Sequence, residues 1–166
     1  LRSVSIISHF HLAQINIGQL RAVKTDPLVK PFMDLIPVIN AHAEATPGFV
    51  WRLKDDEGEA SGATAIQLYD DERIIVNVSV WQSVEALFEF TYASDHIAPF
   101  RRRGEWFERM DEAHMALWWV PAGTVPTPEE ARERLNHLRQ HGPTAQAFTF
   151  KQRFPAPSVV PNETSR

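Results

Sequence analysis

The sequence predicts an α+β fold in which an antiparallel sheet follows the split βαβ, or ferredoxin-like, order. Three observations lead there. Segments with apolar residues at every second position alternate with segments at helical spacing, in the order strand, helix, strand, strand, helix, strand. Turn signals such as Pro47-Gly48 and Pro121-Ala122-Gly123 separate these segments. The length, 166 residues, corresponds to about one domain.

The elements follow in order. Phe10 to Ile17 reads as a strand that Gly18 ends. Asp26-Pro27 is an N-cap with proline at the first helical position. Leu28, Phe32, Leu35, Ile39 and Ala43 then keep one helical stripe, with Pro31 in the first turns and Pro37 predicting a kink. Phe49 to Lys54 is a second strand, and the acidic turn 55–59 leads to its expected hairpin partner, Ala63 to Tyr69. Ile74 to Trp81 is the strongest strand signal in the chain. Ser83 caps the next helix, a break is expected between Ser94 and Pro99, and helix resumes from Arg101 to Met110. His114 to Val120 is a strand. Thr127-Pro128-Glu129-Glu130 opens a last helix that ends near His141-Gly142-Pro143, and Ala147 to Phe154 is a final short strand. Residues 1–8 are expected to be a flexible arm or an appended remnant, 9–154 a single domain, and the proline-containing stretch 155–166 a flexible tail.

Composition excludes several functions. Hydrophobic residues make up 43% and charged residues 23%, ordinary values for a folded globular chain. A net charge of −4 gives no electrostatic case for nucleic acid or an anionic membrane surface. No apolar run approaches the roughly 20 residues of a membrane span. With no cysteine there is no disulfide framework, thiol catalysis or cysteine-built metal site, and a cytoplasmic location is expected. His137 and His141 stand four apart on a helix but lack a third ligand, so no metal is expected. No glycine-rich phosphate loop or nucleophile elbow is present, which disfavours nucleotide cofactors and hydrolase chemistry.

The strand faces carry more information. Ile74, Val76, Val78 and Val80 share one side of their strand, while Ile75, Asn77, Ser79 and Trp81 share the other. In the first strand Leu12, Gln14 and Asn16 oppose His11, Ala13, Ile15 and Ile17. With the helices on one face of the sheet, the other is expected to be covered by a second copy, giving a sheet-to-sheet homodimer.

The run Val80-Trp81-Gln82-Ser83-Val84-Glu85-Ala86 resembles the strand-to-helix junction of the dimeric α/β-barrel superfamily. That group includes antibiotic-biosynthesis monooxygenases, haem-degrading monooxygenases and stress-responsive barrel proteins. Within it, Pro47-Gly48-Phe49-Val50-Trp51-Arg52-Leu53, Arg101-Arg102-Arg103-Gly104-Glu105-Trp106-Phe107 and Trp118-Trp119-Val120-Pro121-Ala122-Gly123 resemble an uncharacterised domain-of-unknown-function family. The likeness spans roughly His11 to Phe154. It implies the fold and a dimer, with a pocket between sheet and helices, but no particular reaction.

The candidate site residues follow from spacing and strand faces. Tyr92, His96, Phe100, Arg103 and Phe107 lie at near-helical spacing along one side. Imidazole changes charge near neutral pH, so His96 is the candidate general base or acid, and Tyr92 can orient a substrate oxygen. Arg103 can hold a carboxylate or enolate as a charged fork, and Arg52, Asn77 or Tyr92 can stabilise an oxyanion. Asn16, Asn77 and Ser79 are polar residues in buried strands, forming either a structural network or the wet part of a pocket. Trp81 and Trp118 are candidate aromatic walls, together with Phe100. In the haem-degrading relatives an Asn on the first strand, a Trp and a helix His form the site; Asn16 matches the first, whereas Trp81 and His96 depart from the spacing.

The leading expectation is therefore a small-molecule enzyme without a bound cofactor. By resemblance it carries out monooxygenase-like chemistry on a hydrophobic aromatic, polyketide- or terpenoid-like metabolite. Alternatives are an oxygen-independent isomerase, cyclase or lyase in the same pocket, a haem-binding protein, and a non-catalytic ligand-binding module.

Overall fold

The structure is a computed structural model that describes residues 9–54 and 66–158. Its four strands are β1 (Phe10–Gln19), β2 (Phe49–Arg52), β3 (Ile74–Trp81) and β4 (Met115–Pro121), hydrogen-bonded in the order β2-β3-β1-β4. Every pairing is antiparallel, and β1, the first strand in sequence, lies inside the sheet between β3 and β4. This is the ferredoxin-like order expected from the sequence.

Local chemistry sets the helix ends. Asp26 accepts from the Leu28 N–H at 2.8 Å at the start of a short 3-10 turn, Pro27–Val29, which leads into α1 (Lys30–Ala45). Pro37 lies within α1 on its exposed side, while Phe32, Leu35, Ile36 and Ala43 are buried. Ser83 caps α2 (Val84–Asp95), and Thr127 caps α3 (Pro128–His141), each hydroxyl accepting a backbone N–H at 3.1 Å. At Gly48 the φ angle of +91° and a hypothetical Cβ only 2.6 Å from the Ala86 Cβ both require glycine. That close approach seats the α1–β2 turn on the first turn of α2.

Three expected elements differ. The expected helix from Arg101 to Met110 is a 3-10 segment, Ala98–Glu105, followed by irregular chain. There the backbone turns to the end of β1: the Arg21 N–H donates to the Trp106 carbonyl and the Glu108 N–H to the Gln19 carbonyl, both at 2.8 Å. Pairing with β1 displaces the helical bonds. The expected strand Ala147 to Phe154 reduces to two isolated bridges, Phe148 with Leu117 and Ala147 with Thr144, because the chain turns again at Thr149–Gln152. Of the expected hairpin partner, residues 66–69 form no strand; residues 63–65, the acidic turn 55–59 and the 1–8 arm lie outside the described residues.

Helices cover both faces of the sheet, not one. Ala13, Ile15, Val76, Val78, Val80, Ala116 and Trp118 form a core with Ala131, Leu135 and Leu138 of α3. The first five and both β4 residues are at most 1% exposed within a single chain. The amphipathic α3 of the same chain thus occupies the face that the sequence reading reserved for a second copy. The opposite face looks towards α1, α2 and the 98–110 stretch.

Candidate functional site

The face beneath α1 and α2 is apolar at its ends and polar in its middle. Leu12 and Trp81 pair at one end and Gly18 and Ile75 at the other, with Gln14 opposite Ser79 and Asn16 opposite Asn77 between them. Above this strip the helices stand off and leave a cavity of about 750 Å³. Phe32 and Ile36 of α1, Leu87 and Phe90 of α2, and Phe100 and Phe107 form its apolar wall. Gly18 makes room for Phe107: a Cβ there would lie 2.6 Å from the ring.

The polar strip is one network. Gln14, 1% exposed, donates from Nε2 to Asn77 Oδ1 and to Ser79 Oγ, each at 2.8 Å. Asn16 donates from Nδ2 to Gln14 Oε1 at 3.0 Å, and the Trp81 indole N–H donates to Ser79 Oγ at 2.8 Å. A hydroxyl has two acceptor sites and one hydrogen. Both acceptor sites of Ser79 are taken, so its O–H is left to donate. Asn77 uses only its carbonyl oxygen, leaving both amide hydrogens free of partners among the described residues. The floor therefore offers mainly donors. On α2, Thr91 and Ser94 spend their hydrogens on the helix carbonyls of Leu87 and Phe90.

Arg52 stands at the edge of this floor, opposite Ser79 in the β2–β3 register. Its Nε donates to Glu44 Oε1 at 2.7 Å, its side chain is 13% exposed, and its Nη1 is buried without a partner among the described residues. The Arg52 hydrogen bond is the main reason the Glu44 carboxyl is held below its ordinary pKa. Asn40 of α1, also buried, faces the cavity with no side-chain hydrogen bond among the described residues.

The structure brings Arg52, Arg103, Asn16, Asn77, Ser79 and Phe100 together around the cavity. Four other expected residues lie elsewhere. His96 is the exposed C-cap of α2, with Nδ1 2.9 Å from the Tyr92 carbonyl oxygen, and Tyr92 is 60% exposed with its ring against that of His96. Both lie on the side of α2 opposite Leu87, Thr91 and Ser94, which face the cavity. Trp118 points to the α3 face, as strand alternation requires once Leu117 points to the other. Trp81 is fully buried beneath one end of the floor and reaches the network only through its N–H. Arg103 is tied to Asp95 at 2.7 Å at the cavity mouth.

Residues 11–164 match the family described as Domain of unknown function (DUF3291). The chain belongs to that family. The match includes all three segments that pointed to such a family in the sequence. No curated protein matches the chain. Among solved structures, PA3566 from Pseudomonas aeruginosa is 10% identical, with a TM-score of 0.39 over 69% of this chain and 95% of its own. A candidate antibiotic biosynthesis monooxygenase from Chloroflexus aurantiacus is 20% identical, with a TM-score of 0.37 over 70% of this chain and 93% of its own. The fold assignment of this DUF3291 chain rests on its sheet order, not on these overlaps.

Arg21, Asn40, Asp95, Glu108, Arg109 and His114 line the cavity and escaped the sequence reading. Asn40 was legible as a polar residue on the buried stripe of α1. His114 lines the cavity from just before β4, where its carbonyl accepts the Ile17 N–H at 2.9 Å, and no periodicity marks it. Haem ligation by His96 does not fit this DUF3291 cavity, because His96 lies outside its wall.

Proposed function

We propose that the cavity is the active site of a small-molecule enzyme that stabilises the enolate of a hydrophobic carbonyl compound. The observation that carries this reading is the donor surplus of the floor. The Ser79 O–H and the two Asn77 N–H groups are fixed from below by Gln14 and Trp81, and they face a largely apolar space. Preorganised donors in a water-poor site favour negative charge developing on a carbonyl oxygen. The half-buried Arg52 guanidinium, paired with Glu44 through Nε, adds a charged donor at the edge of the same floor.

Proton removal from the carbon beside the carbonyl needs a base. Asp95 and Glu108 line the cavity but are held by Arg103 and Arg21. His114, exposed at the cavity rim just before β4, is the histidine among the lining residues and takes the role first expected of His96. The carbanion then has two fates. Reprotonation elsewhere gives an isomerase, and reaction with dioxygen gives a monooxygenase, in which a methylene plus O₂ becomes a carbonyl plus one water. A sheet-to-sheet homodimer would first have to displace α3.

Anthrone, a tricyclic ketone with an acidic methylene, tests the reading. Under argon in D₂O, the protein is expected to speed deuterium exchange at that methylene, and Asn77→Ala to slow it about 10²-fold. In air, one O₂ should be consumed per anthraquinone formed if the oxygenase branch operates. Exchange no faster than in buffer, with anthrone shown to occupy the cavity, contradicts the enzyme reading and leaves a binding module.

A further inference from the structure

The charge around the cavity opposes that of the whole molecule. The chain carries a net −4, yet four arginines (Arg21, Arg52, Arg103, Arg109) line the cavity against two carboxylates, Asp95 and Glu108. The two carboxylates are spent on Arg21 and Arg103. Arg109 has no ion-pair partner among the described residues and stands exposed at the mouth.

Arg52 is the informative one. Glu44 takes its Nε, and Nη1 is buried with no partner among the described residues. A buried cationic N–H without an acceptor forgoes a charge-assisted hydrogen bond. A neutral ketone needs only the Ser79 and Asn77 donors and leaves this group unmatched. Asn40, only 8% exposed, faces the same space from α1 with its amide unpaired. Arg52 Nη1 from the sheet and the Asn40 amide from a helix thus face one space without a hydrogen-bond partner among the described residues.

We infer that the ligand is a hydrophobic carboxylate. Its anionic head sits against Arg52 Nη1, its hydrocarbon body lies between Phe32, Leu87, Phe90 and Phe107, and a second polar substituent meets Asn40. This inference rests on the cavity being the functional site, as proposed above, and narrows its substrate to acids. Arg52 acts as the anion anchor, Glu44 as the residue that positions it.

The test is calorimetric titration of the full chain with 2-naphthoate, its neutral isostere 2-naphthamide, and decanoate. The carboxylate is expected to bind at least about tenfold more tightly than the amide, the scale of one charge-assisted hydrogen bond. Arg52→Gln should erase that preference, and Arg52→Lys should keep part of it, showing that the loss is one of charge and not of folding. In Asn77→Ala the preference should persist while deuterium exchange on anthrone falls, so anion recognition and enolate chemistry fail separately. Decanoate matching naphthoate assigns the site to aliphatic acids; decanoate weaker assigns it to aromatic ones. Equal affinity for carboxylate and amide, or a preference that survives Arg52→Gln, overturns the inference. Failure of all three probes to bind overturns the cavity reading with it.

Discussion

Arg52 stands directly across from Ser79 where β2 meets β3, so a guanidinium anchored by Glu44 borders a hydroxyl whose acceptor sites are both filled. Neither partner alone makes a site. Together they combine a fixed positive charge with a fixed donor on the floor of an apolar cavity.

The network under that floor is expected to be expensive to disturb. Gln14→Leu fills the same space but leaves the Asn16, Asn77 and Ser79 ends of three hydrogen bonds without their partner. A loss of about 1–3 kcal/mol is expected, read as a lower urea midpoint at unchanged slope. A change within about 0.5 kcal/mol would mean that the strip is solvated and not a coupled network.

Gly18 sets the far end of the cavity. In Gly18→Ala the new methyl meets Phe107 Cε1 at 2.6 Å, so the ring must shift towards Phe32, its edge-on neighbour at 4.7 Å. Overpacking of this kind costs about 1–3 kcal/mol. Thermal unfolding should show the loss, and naphthoate affinity should change with it.

His96 and His114 separate the two assignments of the base. His96→Ala is expected to leave deuterium exchange on anthrone unchanged, since the ring lies against exposed Tyr92. His114→Ala should slow it about 10²-fold or more, the usual contribution of a general base. The reverse pattern would restore the histidine that the sequence favoured.

Much of the fold was legible because local signals and tertiary packing agree. Ser83 and Thr127 cap the helices they were expected to cap, Asp26 caps the 3-10 turn that leads into α1, and the alternation in Ile74–Trp81 sorts Val76, Val78 and Val80 from Asn77 and Ser79 as observed. The same alternation exposed the polar floor in advance. What failed depended on partners distant in sequence. The 106–108 stretch bonds to the end of β1 and not to its own helix, and Phe148 pairs with Leu117 for a single bridge. The stripe through Tyr92 and His96 lies on the outer side of α2, because Leu87, Thr91 and Ser94 turn the opposite side to the cavity. The cover over the second face was also hidden, because an amphipathic α3 does not announce which apolar surface it meets.

Acid should unlock the turn before β3. The Arg73 side-chain hydrogen bond is the main cause that holds the Asp71 carboxyl at about 2, helped by the Arg73 backbone N–H and by Gln19. A carboxylate with a depressed folded pKa stabilises the fold above its unfolded value, about 3.9, and loses that contribution as pH falls through its folded value. Asp71→Asn should therefore melt lower than wild type at pH 5–7, with the gap closing as pH falls from about 4 towards 2. A gap that stays constant over that range would place the effect of the substitution outside this ionisation.

The most direct test of the account is a crystal structure of the protein with 2-naphthoate. A carboxylate is expected within hydrogen-bond distance of Arg52 Nη1 at the edge of the Asn77–Ser79 floor, with the rings between Phe32, Leu87, Phe90 and Phe107. A ligand seated against Tyr92 and His96 on the outer face of α2, with the cavity empty, would contradict it.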